Sequence, residues 1–573
     1  MRAPLLIVVL LLGLAGIWTA PVNAAEAELD PADVKVMREA GLTLDNNALL
    51  AFLRARTLAE IDRTKILALV RQLGDDDFEV RDKSSRQLET LGAPAVPLLR
   101  QALRDEDIEI VHRAQKCLQH IEKVAGPAVS CAVARSVARR KPPEGAETLL
   151  AFLPFADDEN VSDEVRAALT AVALIDGKPD GAILQALTDR LPMKRAAAAE
   201  ALIRTGSVEQ RVAMRKMLKD EDPTVRLRVA TALFNHKELE AIPVLIKLLE
   251  DLPQTQGRLA EGLLSELAGE LGPTAILGEE EAARAKCRKA WEDWWKSYDG
   301  PGLLKYFQEL TPTDAERDKM QTWIKQLKSD SFDERVKATE ELEKCGPSVL
   351  ALLRRAVMST DSEAATRAKK ALAALEKKHQ RTLGAAAGDA ARLLSLHKPP
   401  GAVEALLAYL PSAEEESVDA IRAALATLAQ RDGKVEPALV KALTDPSPER
   451  RIGAAVALAR GGPMEQREPV RKLLTDDDLS VRLPVAQALI PTGDKEAVAV
   501  VIDLLLKMPA EQVWQAESLL CGLAEDKSPA SMTGTDDKTR KKTRDEWAEW
   551  WRLNKDKVDL TKLDQPDRML GFT

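Results

Sequence analysis

Residues 220–233 read DEDPTVRLRVATAL, and how this stretch is read decides the fold. Val225, Val229 and Leu233 recur at i, i+4 and i+8, which puts three apolar side chains on one stripe of a helix. Ala230 and Ala232 thin that helix so that a neighbour can approach. A second helical pattern, AIPVLIKLLEDL, follows at residues 241–252 and carries Pro243 within it. A pair of this kind cannot cover its own apolar face, and stacking pairs side by side gives each the burial it lacks. The expected fold is all-α: an extended, curved α-solenoid of helical hairpins with a period of roughly 30 to 40 residues.

The bulk composition agrees. A chain of 573 residues with 30% charged and only 3% aromatic residues, rich in Ala, Leu, Lys, Glu and Arg, has the mixture of a long helical protein, and little in it reads as strand.

The same pattern is written twice. DEDPTVRLRVATAL returns as DDDLSVRLPVAQAL at residues 476–489. LVRQLGDDDFEVRDKSSRQLETLG returns as WIKQLKSDSFDERVKATEELEKCG, and RKPPEGAETLLAFLP as HKPPGAVEALLAYLP. Asp176-Gly177-Lys178 returns as Asp432-Gly433-Lys434. The offset is about 254 to 257 residues, so two tandem duplicated arrays are expected, at 44–299 and 300–556. Their joint falls in SYDGPGLL, where Gly300, Pro301 and Gly302 interrupt helix formation. A leader at 25–43 and a tail at 557–573 flank them.

Within each array an Asp recurs six residues before an Arg. The pairs are Asp75 with Arg81, Asp107 with Arg113, Asp189 with Arg195 and Asp220 with Arg226, then Asp361 with Arg367, Asp445 with Arg451 and Asp476 with Arg482. Arg335 instead stands six after Ser329. These pairs resemble HEAT repeats, and PBS-lyase-type helical repeats generally, which carry an Asp in the turn within a repeat and an Arg on its second helix. The resemblance implies a hydrogen-bonded ladder of these charges along the stack, with the rung at Ser329 in doubt.

The acidic triplet Asp75-Asp76-Asp77 could start a helix or hold a metal. Its copy is Ser329-Asp330-Ser331, which keeps capping ability and loses two charges, so helix capping is the expectation. Phe78 and Val80 then enter the core pattern.

Chemistry finds little footing. The five histidines, His112, His120, His236, His379 and His397, are scattered, and none is followed by Glu as in the di-iron hydroxylases that resemble this array. No phosphate-binding Gly-rich loop and no Gly-x-Ser-x-Gly elbow occurs. No catalytic residue, cofactor or metal site is therefore assigned, and a helical-repeat lyase or hydroxylase is only a remote alternative. The five cysteines are irregularly spaced and form no disulfide framework, and Cys345, in the place of Leu91, reads as a small buried residue. With a net charge of −9 and signs interspersed, no basic stripe exists to neutralise a phosphate backbone, so nucleic acid is not an expected partner.

Two tryptophan clusters end the arrays: Trp291, Trp294 and Trp295, then Trp547, Trp550 and Trp551. Their spacing puts each trio on one side of a helix. The rings can form an aromatic binding platform or a terminal cap over an exposed apolar face, and the cap is the expectation. In exported bacterial proteins that this chain resembles, a similar W..WW ending closes the helical array.

At the N-terminus Arg2, the apolar run Leu5 to Ile17 and the small-residue site Val22-Asn23-Ala24 describe a secretory signal peptide at 1–24. The run is shorter than the ~20 residues that span a bilayer comfortably, so no membrane span is expected after cleavage, although an uncleaved anchor is the alternative. The sum is a non-catalytic secreted or periplasmic scaffold that binds a protein partner. The apolar ending Met569 to Thr573 raises a second reading, an accessory region of a larger exported enzyme or sensor. The intact mass of protein recovered from the cell envelope should correspond to a chain starting near Ala25; a mass retaining Met1 to Ala24 refutes cleavage.

Overall fold

The computed structural model describes residues 29–57, 60–122, 126–156, 158–359, 361–379, 386–529, 534 and 536–561. Residues 1–24, where a signal peptide is expected, and most of the tail lie outside the described residues. Among the described residues there are 31 α-helices and two two-stranded hairpins, an all-α solenoid built of helical repeats. The chain forms two compact units, Met1–Leu252 and Pro253–Thr573.

In the first unit the helices Pro127–Arg140, Glu159–Val172, Pro192–Thr205 and Pro223–Asn235 form a row, each packed on the next. Val225, Val229 and Leu233 on the last of these are fully buried, each contributing about 1.5–3 kcal/mol relative to exposure. Pro192–Thr205 is buried all the way from Arg195 to Ile203, because four consecutive alanines, Ala196 to Ala199, let neighbours close in on both sides. Pro243 falls in the first turn of Ala241–Asp251, where no helical donor is lost.

The second unit repeats this row with Ala387–His397, Glu415–Thr427, Pro448–Gly461 and Leu479–Leu489.

Each unit also holds a smaller core of its own. Residues from Ile66 to Ile121 form one, and residues from Met320 to Leu375 form the other. In sequence each four-helix module is inserted between two helices that pack together: Asn46–Arg54 with Pro127–Arg140, and Gly300–Leu310 with Ala387–His397. Ion pairs tie the second module to its row, with Arg450 at 3.2 Å from Asp314 and Arg354 against Glu414. Arg355 Nη2 adds a 2.8 Å hydrogen bond to the Ala413 carbonyl.

Three features depart from the sequence reading. First, two hairpins occur, Leu174–Ile175 with Lys178–Pro179 and Gln430–Arg431 with Lys434–Val435. Their turns are the duplicated Asp-Gly pairs, with φ of 49° and 76° at Asp176 and Gly177 and 51° and 74° at Asp432 and Gly433. Two successive left-handed residues are what a tight hairpin turn requires. Second, Phe78 is 60% exposed and Val80 only half-buried, so neither belongs to the core. Third, the compact units do not divide at the sequence joint near Gly300. The helices Gln254–Ala268 and Glu281–Ser297, which end the first copy, lie in the unit that holds the second copy.

A close contact explains that last point. Gln254–Ala268 packs on Ala387–His397, and Asp389 Oδ2 accepts from the Glu270 backbone N–H at 2.9 Å. At Gly269, φ is +53° and a Cβ would sit 2.0 Å from Asp389 Oδ2, so only glycine admits the carboxylate. Its counterpart Glu525 has the same backbone conformation, φ 53° and ψ −133°. Gly269→Ala should lower the urea midpoint by the equivalent of about 2 kcal/mol, while Glu525→Gly should raise it by about 1 kcal/mol. Equal and small effects of the two substitutions would show that the Asp389 contact is unimportant.

Candidate functional site

The recurrent Asp and Arg residues come together in a pattern that the spacing of six did not disclose. In the first row Arg195 donates Nε and Nη2 to the Asp220 carboxylate, at 2.9 and 2.8 Å, and Nη1 to the backbone carbonyl of Asp189 at 3.0 Å. Arg226 donates Nη1 to the Asp220 carbonyl at 2.8 Å and Nη2 to Asp251 Oδ2 at 2.8 Å. Each arginine therefore uses the main chain of the Asp six residues before it and the carboxylate of an Asp 25 residues after it. The second row matches: Arg451 holds Asp476 at 2.8 Å through both Nε and Nη2 and the Asp445 carbonyl at 2.9 Å. Arg482 donates Nε to the Asp476 carbonyl at 2.6 Å.

The Asp carboxylates are shared with backbone N–H groups. Asp189 accepts from Leu191 N at 2.8 Å, Asp220 from Asp222 N at 2.9 Å, and Asp445 from Ser447 N at 2.9 Å. Asp75 in the acidic triplet accepts from Asp77 N at 2.9 Å, and Asp77 caps the helix Phe78–Leu91 through Glu79 N at 2.8 Å.

The inserted modules use a different rung. Arg81 Nη1 again reaches the Asp75 carbonyl, at 2.6 Å, but its Nε lies 3.3 Å from Glu109, and Arg113 donates Nε to the same Glu109. The Asp107 carboxylate accepts from the Glu109 N–H at 2.8 Å. In the second module Arg335 and Arg367 share Glu363 in the same way, and Asp361 accepts from Ala364 N at 2.9 Å. Ser329 loses nothing at this rung, because Arg335 Nη1 takes its backbone carbonyl at 2.7 Å. The exposed rings of Phe78 and Phe332 each lie within 5.7 Å of two guanidinium groups, Arg81 and Arg113 or Arg335 and Arg367. Cation–π attraction keeps these phenylalanines out of the core at a position where the chain seemed to turn them inward.

The tryptophans offer no platform. Trp291, Trp294, Trp547, Trp550 and Trp551 are buried, and Trp295 is half-buried against His397, ring centroids 5.0 Å apart. The first cluster closes no free end. Its rings continue through Tyr298, Tyr306 and Phe307 to Tyr409, in steps of 5.3 to 6.3 Å. The second sits on the helix Asp537–Asn554, whose buried Arg540 donates to the Leu505 and Met508 carbonyls and so caps the end of Lys495–Lys507.

Among the described residues no group of three His, Cys, Asp or Glu side chains is placed to hold a metal ion. His112, His120 and His236 are exposed on the surface. All five cysteines are free. Burial pushes the Cys117 and Cys287 thiols up to about 11, so they are protonated and unreactive near neutrality. Cys345 is half-buried, not buried, because it ends a helix.

The second unit carries a groove of about 710 Å³ between Leu479–Leu489 and Val513–Ala524. Its walls include Leu483, Pro484, Met508, Trp514 and Ser518, with Arg422 and Arg460 at one side. Trp514 is 62% exposed. Sequence reasoning passed over this residue, although the first copy carries Arg258 there, and a ring standing where the duplicate tolerates a cation is an exposed ring. Glu109 and Glu363 were also passed over, although both copies keep the spacing Asp-x-Glu-x-x-x-Arg.

Together these features define a helical-repeat protein whose ionisable residues are spent on holding one repeat to the next. The HEAT-repeat family profile matches residues 179–263 and 436–521, corresponding stretches of the two copies, so each copy contains HEAT repeats. Similar solved structures include Kap121p bound to RanGTP, 13% identical, with 87% of this chain and 57% of that one covered and a TM-score of 0.19. The chain thus spans a little over half the length of Kap121p. A tubulin-recruiting array of TOG domains is 13% identical over 78% of this chain and 98% of its own, TM-score 0.15. An engineered protein is 23% identical over 74% and 98%, TM-score 0.14. A search of curated protein sequences finds no match.

Removing the Arg195 guanidinium strands the Asp220 carboxylate in a place where both side chains are only 9% exposed, so Arg195→Ala should cost about 3 kcal/mol. Arg195→Lys keeps the charge but not the fork, and should still cost about 2 kcal/mol. The Arg195 hydrogen bonds hold the Asp220 carboxyl below the usual carboxylate range, against burial and with help from the Asp222 N–H. A depressed carboxylate stabilises the fold fully above its unfolded value of about 3.9, and that contribution fades as pH falls through the lower folded value. The urea midpoints of wild type and Asp220→Asn should therefore differ at about pH 7 and converge towards about pH 3.

Proposed function

We propose that this protein is a non-catalytic scaffold that binds a protein partner in the open groove of its helical row, and that it works after export, in a secreted or periplasmic setting. The observation that carries the reading is Trp514, a large ring left 62% exposed over the groove while five of the six clustered tryptophans are buried. Aromatic side chains at such positions supply much contact area at small entropic cost, which is why they dominate binding hot spots. The charged residues support it from the other side: the carboxylates and guanidinium groups that could act as acids or bases are committed to inter-repeat hydrogen bonds. Among the described residues no helix is long and apolar enough to cross a membrane. The apolar ending that motivated an accessory role in a larger enzyme lies outside the described residues, and no observation favours that reading.

A photo-cross-linking residue at Gln515, beside Trp514, should capture one identifiable protein in the native cell fraction, whereas the same residue at the exposed Leu553 should not. Trp514→Ala should abolish the adduct and change stability by less than about 0.5 kcal/mol. Identical adducts from both positions, or none from Gln515, would refute the groove as the binding surface.

A further inference from the structure

We propose that the groove beside Trp514 takes an extended, acidic segment of its partner, an apolar side chain resting on Trp514 and a carboxylate bridging Arg422 and Arg460; this rests on the groove being the binding surface. The overall charge of the chain is −9, so a cationic pair in an open groove is a local exception that needs an explanation. Arg422 comes from Glu415–Thr427 and Arg460 from the neighbouring helix Pro448–Gly461, so adjacent repeats contribute one guanidinium each. Their partners do not neutralise them. Arg422 contacts Asp419 at a long 3.4 Å, and that carboxylate is itself 94% exposed, while Arg422 Nε is buried with no hydrogen-bond acceptor. Arg460 is exposed, and no ion pair to it is found among the described residues. Burial, together with the charge of Arg460, pushes the Arg422 guanidinium below its ordinary value despite Asp419. The other carboxylate of the groove, Asp478, is occupied: it accepts from the Ser480 N–H and hydroxyl at 2.9 and 2.7 Å as the cap of its helix.

The first unit carries the same device independently. Arg166, with Asp163 at 3.1 Å, is likewise held below its ordinary value by burial and then by the charge of Arg228. A partly desolvated guanidinium with a second arginine charge acting on it thus occurs on both rows, with different second partners. Such a pair gains from an incoming carboxylate what a single exposed lysine would not, because the fork geometry suits carboxylate oxygens and water is already partly removed.

The test is fluorescence anisotropy with the full chain and two labelled peptides of about twelve residues, (Glu-Leu-Pro) repeats and (Lys-Leu-Pro) repeats, long enough to run the groove. The acidic peptide should bind at least about ten-fold more tightly than the lysine peptide, and raising the salt from about 50 to about 200 mM should weaken it. Arg460→Glu, at an exposed position, should cost the acidic peptide about ten-fold, and Trp514→Ala should weaken both peptides. Equal affinity for the two peptides, indifference to Arg460→Glu, or no binding of the acidic peptide at about 1 mM overturns the proposal. If Gln515 still cross-links a partner in a Trp514-dependent way when that happens, the groove stands as the binding surface and only the acidic character of its ligand falls.

Discussion

An arginine that serves two turns at once is the constraint from which the rest of this architecture follows. Apolar burial drives helical pairs together but is non-directional, and alanine-rich faces such as Ala196 to Ala199 would tolerate many crossing angles. The guanidinium of Arg195 or Arg451 removes that freedom. One edge is fixed on the carboxylate of the next repeat and the remaining nitrogen on the carbonyl of its own turn. A buried ion pair roughly breaks even against apolar packing, so its value here lies in geometry more than in net stability. The carbonyls it uses belong to residues just past a helix end, groups that need donor partners in any case.

How much of this was legible in the chain depends on how local the cause was. Val225, Val229 and Leu233 are periodic within one helix, and all three are buried. The duplication is a property of the string and needs no coordinates. The partner of each arginine was not visible, because the short spacing to the preceding Asp suggested a side-chain pair, whereas that Asp lends its main chain and a residue 25 positions on lends the carboxylate. Phe78 misled for a related reason: an aromatic residue at a core-like position is drawn outward by two guanidinium groups, one of them 35 residues away in sequence at Arg113. The Asp-Gly pairs were noticed as repeats but not as turns, although successive left-handed residues are their ordinary use. Trp514 drew no attention because the clustered tryptophans did, and clustering marks burial better than it marks function.

The two copies keep the framework and diverge where the framework does not reach. Arg226 ends its ladder on Asp251, whereas the second copy has Lys507 at that place and Arg482 stops at a carbonyl. Arg228 and Arg258 in the first copy are Pro484 and Trp514 in the second, both on the groove. Duplication followed by change at surface positions gives one protein two related rows with different chemistry on offer.

Glu525 bears on how such a chain can lengthen. The first copy receives its successor because position 269 has no side chain and the Asp389 carboxylate fills the space. At 525 the same backbone carries a glutamate, so an incoming third array would meet a methylene where its aspartate must enter. Tandem amplification of the gene segment would then yield a protein whose new joint cannot seat until that codon changes to glycine, which makes one residue a brake on growth by recombination.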